Sequence, residues 1–109
     1  MSAEANTKQQ AAAEKPYLVV FYGTECPHCI EMEPLLARLK AETGLDYEHL
    51  EVWHSAKNDQ TRQGLDKSST CGGVPFFYNR KSCQTLCGTV SYERLKQWAL
   101  NRLPEACEI

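Results

Sequence analysis

Tyr17-Leu18-Val19-Val20-Phe21-Tyr22-Gly23-Thr24-Glu25-Cys26-Pro27-His28-Cys29 is the stretch whose reading decides the fold. Its first six residues are an unbroken apolar, β-favouring run. That pattern predicts a central strand buried on both faces, as in a parallel or mixed sheet under helices. Gly23 ends the run. A helix is predicted from Pro27, whose missing N–H costs nothing at a first helical position, to about Thr43, with Gly44 as its stop. Within it Cys29, Met32, Leu36 and Leu39 follow 3-4-3 spacing and line one face.

Further along, Asp46–Trp53 reads as a second strand, and Lys57–Ser69 as a weaker helix with few apolar anchors. Phe76-Phe77-Tyr78 and Gln84–Cys87 flank the turn-like Asn79-Arg80-Lys81-Ser82 and predict a hairpin. Ser91 is placed to cap a last helix to about Leu103, with Val90 and Leu95 as a hydrophobic staple. The order β-α-β-α-β-β-α is α/β, and the crossover helix implies that the first two strands are parallel. Residues 1–15 have no apolar face to bury and read as a flexible tail. Residues 16–104 form the single domain, and 105–109 a second tail.

The chain has 109 residues, 42% of them hydrophobic, which is enough for one core. Twelve Lys and Arg against 14 Asp and Glu give a net charge of −2, with no basic cluster, which argues against nucleic acid as a partner. The longest apolar run, Tyr17–Tyr22, is far short of the roughly 20 residues of a membrane span, so no membrane association is expected. No charged–apolar–small leader is visible. The expected location is cytoplasmic, or organellar if the N-terminus has been trimmed. Six cysteines in such a chain point to redox or metal chemistry before a disulfide scaffold.

Cys26-Pro27-His28-Cys29 holds the chemistry. A lone C-x-x-C reads as a zinc half-site, a structural disulfide or a redox dithiol. Here it follows a buried strand and opens a helix, which favours the dithiol. A thiolate at Cys26 would face unpaired backbone N–H groups and the positive end of the helix dipole. Both lower a thiol pKa and make Cys26 the expected nucleophile. His28 adds a donor or cation to stabilise the thiolate, while Glu25 opposes by like charge. Cys29, expected to be the more buried, is the resolving thiol that closes the redox-active disulfide Cys26–Cys29, and no other cofactor is expected.

The segment from Tyr17 to about Leu103 resembles the thioredoxin superfamily. The resemblance rests on Cys26-Pro27-His28-Cys29 after an apolar strand, Pro34 five residues past Cys29, Val74-Pro75 opening Phe76-Phe77-Tyr78, and Cys87-Gly88 before the last helix. It implies a mixed four-stranded sheet flanked by three helices. It implies a cis Pro75 against the two sulfurs and a Val74 backbone that pairs with an extended substrate strand, with Tyr22 and Gly88 beside it. It also implies a thiol–disulfide oxidoreductase acting on protein disulfides or dithiols, fed by a reductase or glutathione, and a monomer. The chain departs from the family at Glu25, where thioredoxins carry Trp, and at Val20, where they bury an Asp. The glutathione clamp of glutaredoxins is not visible near the last helix.

Other readings stay open beside that one. Cys71 and Cys87 fall near the site on the family fold, as auxiliary thiols in a second redox pair, an electron shuttle or a four-cysteine metal site. The favoured reading makes each a small buried hydrophobe. Cys26, Cys29, Cys83 and Cys87 superficially resemble a zinc ribbon, and an iron–sulfur cluster bridging two chains through Cys26 is a weaker variant. A non-catalytic adaptor with a structural dithiol is a third function. Cys83 and Cys87 on one strand face lie roughly 13 Å apart, out of reach of each other's sulfur. Cys107 is expected to be exposed in the tail. His49 and His54 read as surface residues, and Arg80-Lys81 as a solvated turn.

Overall fold

Strand β1, Leu18–Tyr22, is the centre of the molecule, and Leu18 through Phe21 are buried. The structure, a computed structural model, describes residues 16–104. The tails expected at 1–15 and 105–109, and Cys107 with them, lie outside the described residues. Alternation sends β1 side chains to opposite faces. On one face Leu18 and Val20 pack with Met32, Leu36, Leu39, Phe77, Leu95 and Trp98. On the other, Val19 and Phe21 pack with Val52 and Phe76.

Helix α1 is Pro27–Thr43, and the predicted stripe Cys29, Met32, Leu36 and Leu39 is its buried face. It ends at Gly44, which adopts φ 76° and donates to the Lys40 carbonyl, a left-handed cap that glycine adopts without steric cost. Strand β2, Glu48–Glu51, pairs parallel with β1. It is shorter than the expected Asp46–Trp53, because the amides of Trp53 and His54 turn to the Glu51 carboxylate.

The loosely anchored segment after β2 is helix α2, Ala56–Leu65, followed by a separate 3-10 turn at Lys67–Ser69. Its buried side chain is Arg62, not an apolar residue. Strands β3, Phe76–Asn79, and β4, Thr85–Cys87, form the antiparallel hairpin, giving the order β2-β1-β3-β4. Cys83 has φ 58° and belongs to the hairpin turn, so it does not share a strand face with Cys87 as expected.

Helix α3 is Tyr92–Ala99, capped by the Ser91 hydroxyl through Arg94 N–H. It stops short of the predicted Leu103. Asn79, fully buried, donates to the Trp98 carbonyl at 2.9 Å and to Asn101 Oδ1, and Asn101 adopts φ 61°. The same Asn79 accepts from the amides of Lys81 and Ser82, so its polar group is satisfied on both sides. Val90 packs against the core that holds Leu95, as the staple requires. No helix among the described residues is long and apolar enough to cross a membrane.

Candidate active site

The parallel pairing of β1 with β2 brings Tyr22 opposite Glu51 and sets two loops side by side at the strand ends. The Glu51 carboxylate ties them together. It accepts from Thr24 N and Thr24 Oγ1, both at 3.0 Å, from Trp53 N at 3.2 Å and from His54 N at 2.8 Å. Burial opposes its charge, but these donors prevail and hold the carboxyl below the usual range. Glu25 pairs with His54 at 2.9 Å, which raises the His54 pKa. Trp53 lies over Gly23 so closely that a Cβ there would stand 2.4 Å from the indole. This is a close approach that only glycine permits.

Gly23 in turn accepts from Cys26 N at 3.1 Å. Cys26 is the N-cap of α1, with φ −80° and ψ 115°, and its Sγ accepts from Cys29 N–H at 3.2 Å. A sulfur therefore takes the place an Asp or Ser oxygen occupies at ordinary helix starts. Cys26 and Cys29 are the free cysteines among the described residues. Burial pushes the Cys29 thiol up to about 12, helped by its hydrogen bond to Cys26, so at neutral pH it is a protonated donor to its partner. The two are equally buried, at 3% exposed each, where Cys29 had been expected to be the deeper.

Facing the dithiol is the segment before β3. The Val74–Pro75 peptide is cis, and the Val74 carbonyl lies 3.9 Å from Cys26 Sγ. Gly88 N donates to the Pro75 carbonyl at 2.9 Å. Two further features brace this wall. Asp66, buried, accepts from Cys71 N at 2.9 Å, Gly72 N at 2.8 Å and the Arg62 guanidinium at 3.3 Å. Burial alone would raise its pKa, but these donors lower it. Cys71 and Cys87 are joined by a disulfide.

Cys26, Cys29, Val74, Pro75 and Gly88 are thus brought together. His28 is exposed at the first turn of α1, its Nδ1 3.3 Å from Thr89 Oγ1 and 3.5 Å from Glu31. It links the helix start to the loop after β4. Tyr22 stacks on His49 with ring centroids 4.0 Å apart, and His49 pairs with Glu33 at 3.2 Å. The favoured reading of Cys71 and Cys87 as buried apolar residues is overturned by their disulfide, and Cys83 is disulfide-bonded too. The four sulfurs of the zinc-ribbon pattern are therefore not four free ligands. Among the described residues no group of three or more His, Cys, Asp or Glu side chains is set to hold a metal ion. Sequence reasoning missed Trp53, Glu51, Asp66 and Glu33, whose charge acts on the Cys29 thiol. Only the strand register hints at the first two.

No protein-family model matches the sequence, and no curated protein is detectably similar to it. Among solved structures the chain is similar to the glutaredoxin Grx-1 of Archaeoglobus fulgidus, with a TM-score of 0.57 at 19% identity over 76% of this chain and 85% of that one. It is also similar to DsbF of MTB, a structure of mixed oxidised and reduced forms, with a TM-score of 0.54 at 13% identity over 86% and 85%. The fold is the thioredoxin fold, a mixed four-stranded sheet with three helices.

Proposed function

We propose that the chain is a thiol–disulfide oxidoreductase acting on protein thiols and disulfides through Cys26 and Cys29. The observation that carries this reading is Cys26 Sγ at the cap of α1, accepting the Cys29 amide at 3.2 Å, with the Val74 carbonyl facing it at 3.9 Å. The thioredoxin fold of the two structural neighbours supports it. Cys26, as thiolate, attacks one sulfur of a substrate disulfide, and the other sulfur leaves and takes a proton. Cys29 then loses its proton and attacks Cys26, forming the Cys26–Cys29 disulfide and releasing the second substrate thiol. The helix N-terminus favours negative charge at Cys26. The high pKa of Cys29 keeps it a thiol until the mixed disulfide has formed.

Val74, Pro75 and Gly88 line the side where an extended substrate would pair, and Tyr22 is engaged in its stack on His49. The substrates are protein disulfides and dithiols, the electron donor is glutathione or a reductase, and the chain's own Cys26–Cys29 pair, without a cofactor, carries the electrons. Cys26→Ser should reduce insulin-disulfide reduction to background, a loss of at least about a thousandfold. Cys29→Ser should instead trap substrate on Cys26 as a mixed disulfide. Full turnover by Cys26→Ser would end the proposal.

A further inference from the structure

The Cys71–Cys87 disulfide is not used by the exchange chemistry above, yet it sits directly behind the Val74–Pro75 wall. Its two halves differ in access. Cys87 is exposed on β4, one of the two edge strands of the sheet, whereas Cys71 is half-buried. Cys71 Sγ lies 3.5 Å from the Gly73 carbonyl and 4.0 Å from the Pro75 carbonyl. A disulfide sulfur has no hydrogen to offer these acceptors, whereas a thiol does. The reduced form of Cys71 thus finds its hydrogen-bond partners already in place, and the same carbonyls disfavour a lasting thiolate there.

The segment it restrains bears on Cys26. Cys26 is only 3% exposed, and the Val74 carbonyl is part of what faces its sulfur. The disulfide fixes the start of that segment to β4, and the bond from Gly88 N to the Pro75 carbonyl fixes its end. Between these points the Gly72 amide stays on Asp66, and Gly73 has the most conformational freedom to regain once the disulfide is lost.

We infer that Cys71–Cys87 is a second thiol–disulfide exchange site, open to small thiols of the glutathione class through Cys87, and that it locks the Gly72–Pro75 wall over Cys26. A thiolate RS⁻ attacks Cys87 Sγ. An RS–Cys87 bond forms, the Cys71–Cys87 bond breaks, and the electron pair goes to Cys71, which takes a proton from water. A second RSH attacks the mixed disulfide, giving RSSR and a Cys87 thiol, so two thiols are oxidised and one disulfide reduced. Reduction frees the wall and opens Cys26. The consequence for substrate turnover rests on the proposed function, while the lock itself does not.

The test uses the full chain in buffers of graded reduced and oxidised glutathione, quenched with acid, alkylated and mapped by mass. The glutathione adduct is expected on Cys87 and not on Cys71. In a Cys29→Ser background, with the second pair left oxidised or reduced with a phosphine and all glutathione then removed before labelling, Cys26 is a thiol in either state of the second pair. There its iodoacetamide rate should rise at least about threefold when Cys71–Cys87 is reduced, with faster amide exchange at Gly73 and Val74. Cys71→Ser/Cys87→Ser should show the fast rate without reductant. If that variant fails to fold, the glutathione series on the otherwise native chain decides alone. An adduct on Cys71, or an unchanged Cys26 rate and amide exchange, overturns the lock. Absence of insulin reduction in both states of the wild type overturns the proposed function instead and leaves these readouts standing.

Discussion

On one side of Cys26 the chain is gathered by exposed groups: Glu51 under the Thr24, Trp53 and His54 amides, and Glu25 on His54. On the other side a buried carboxylate, Asp66, collects two amides and a guanidinium, and a disulfide ties the same segment to the sheet edge. The numbers of ties are similar and their strengths are not. Water and salt screen an exposed ion pair to about 0–1 kcal/mol. Removing one partner of a buried pair leaves a charge with neither water nor counter-ion and costs about 3–5 kcal/mol. The loop that leads into Cys26 is therefore adjustable, and the wall opposite it is rigid until one of its two braces is undone.

The rigid wall should give the largest effect. Asp66→Ala orphans the Cys71 and Gly72 amides and strips Arg62 of one carboxylate, leaving it Asp59 at 2.9 Å. Because Asp59 remains, a loss of about 3 kcal/mol, at the low end of the range, is expected in urea unfolding with unchanged slope. Asp66 has its pKa lowered in the fold, so its contribution is complete above the unfolded value of 3.8 and disappears as pH falls through the lower folded value. Wild-type stability should thus fall in acid below about pH 4, and Asp66→Ala should flatten that fall. A variant as stable as the parent would mean that the carboxylate does not hold the wall.

Gly23→Ala probes the adjustable side and should cost less, about 1–2 kcal/mol. The added Cβ meets the Trp53 ring, which is 51% exposed and has room to swing outward. Trp98 is fully buried, so a rise in acrylamide quenching reports on Trp53. Unchanged quenching and stability would show that the indole does not rest on Gly23.

These two sides also divide what could be read from the sequence. The setting of Cys26 is local: an apolar strand, a proline at the first helical position and a 3-4-3 stripe lie within one continuous stretch, so Cys26 was legible as the cap of α1. Val74-Pro75 was legible through the family resemblance, with Cys26-Pro27-His28-Cys29 upstream of it, and the cis peptide is what that resemblance implied. The braces are long-range. Cys71 meets Cys87 because Phe76 pairs with Cys87 across β3 and β4, and no spacing rule selects that partner among six cysteines. Asp66 was invisible because its donors are backbone amides, which every residue carries. Helix α2 had too few apolar residues for its buried face to be read, since what it buries is Arg62. Trp53 gave no periodic signal, and its seat is a glycine made available only by the parallel register of β1 with β2.

The smallest effect belongs to the Glu25–His54 pair, and it should appear in reactivity more than in stability. Both side chains are exposed, so His54→Ala should leave the unfolding midpoint within error. The pair nonetheless stands one residue before Cys26, and His54 has its pKa raised by Glu25 first and by Glu51 second. Its favourable contribution is complete below the unfolded value of 6.5 and is lost as pH rises through the higher folded value. Above that point the Glu25 charge stands beside Cys26 without its cation and disfavours the thiolate. The rate of Cys26 alkylation in the wild type should therefore lose part of its gain as pH rises through the folded His54 value, which lies above 6.5. Glu25→Gln should restore the simple curve, and His54→Ala should show the depressed reactivity at every pH. Identical profiles for all three proteins would mean that the adjustable side holds the loop without tuning the sulfur.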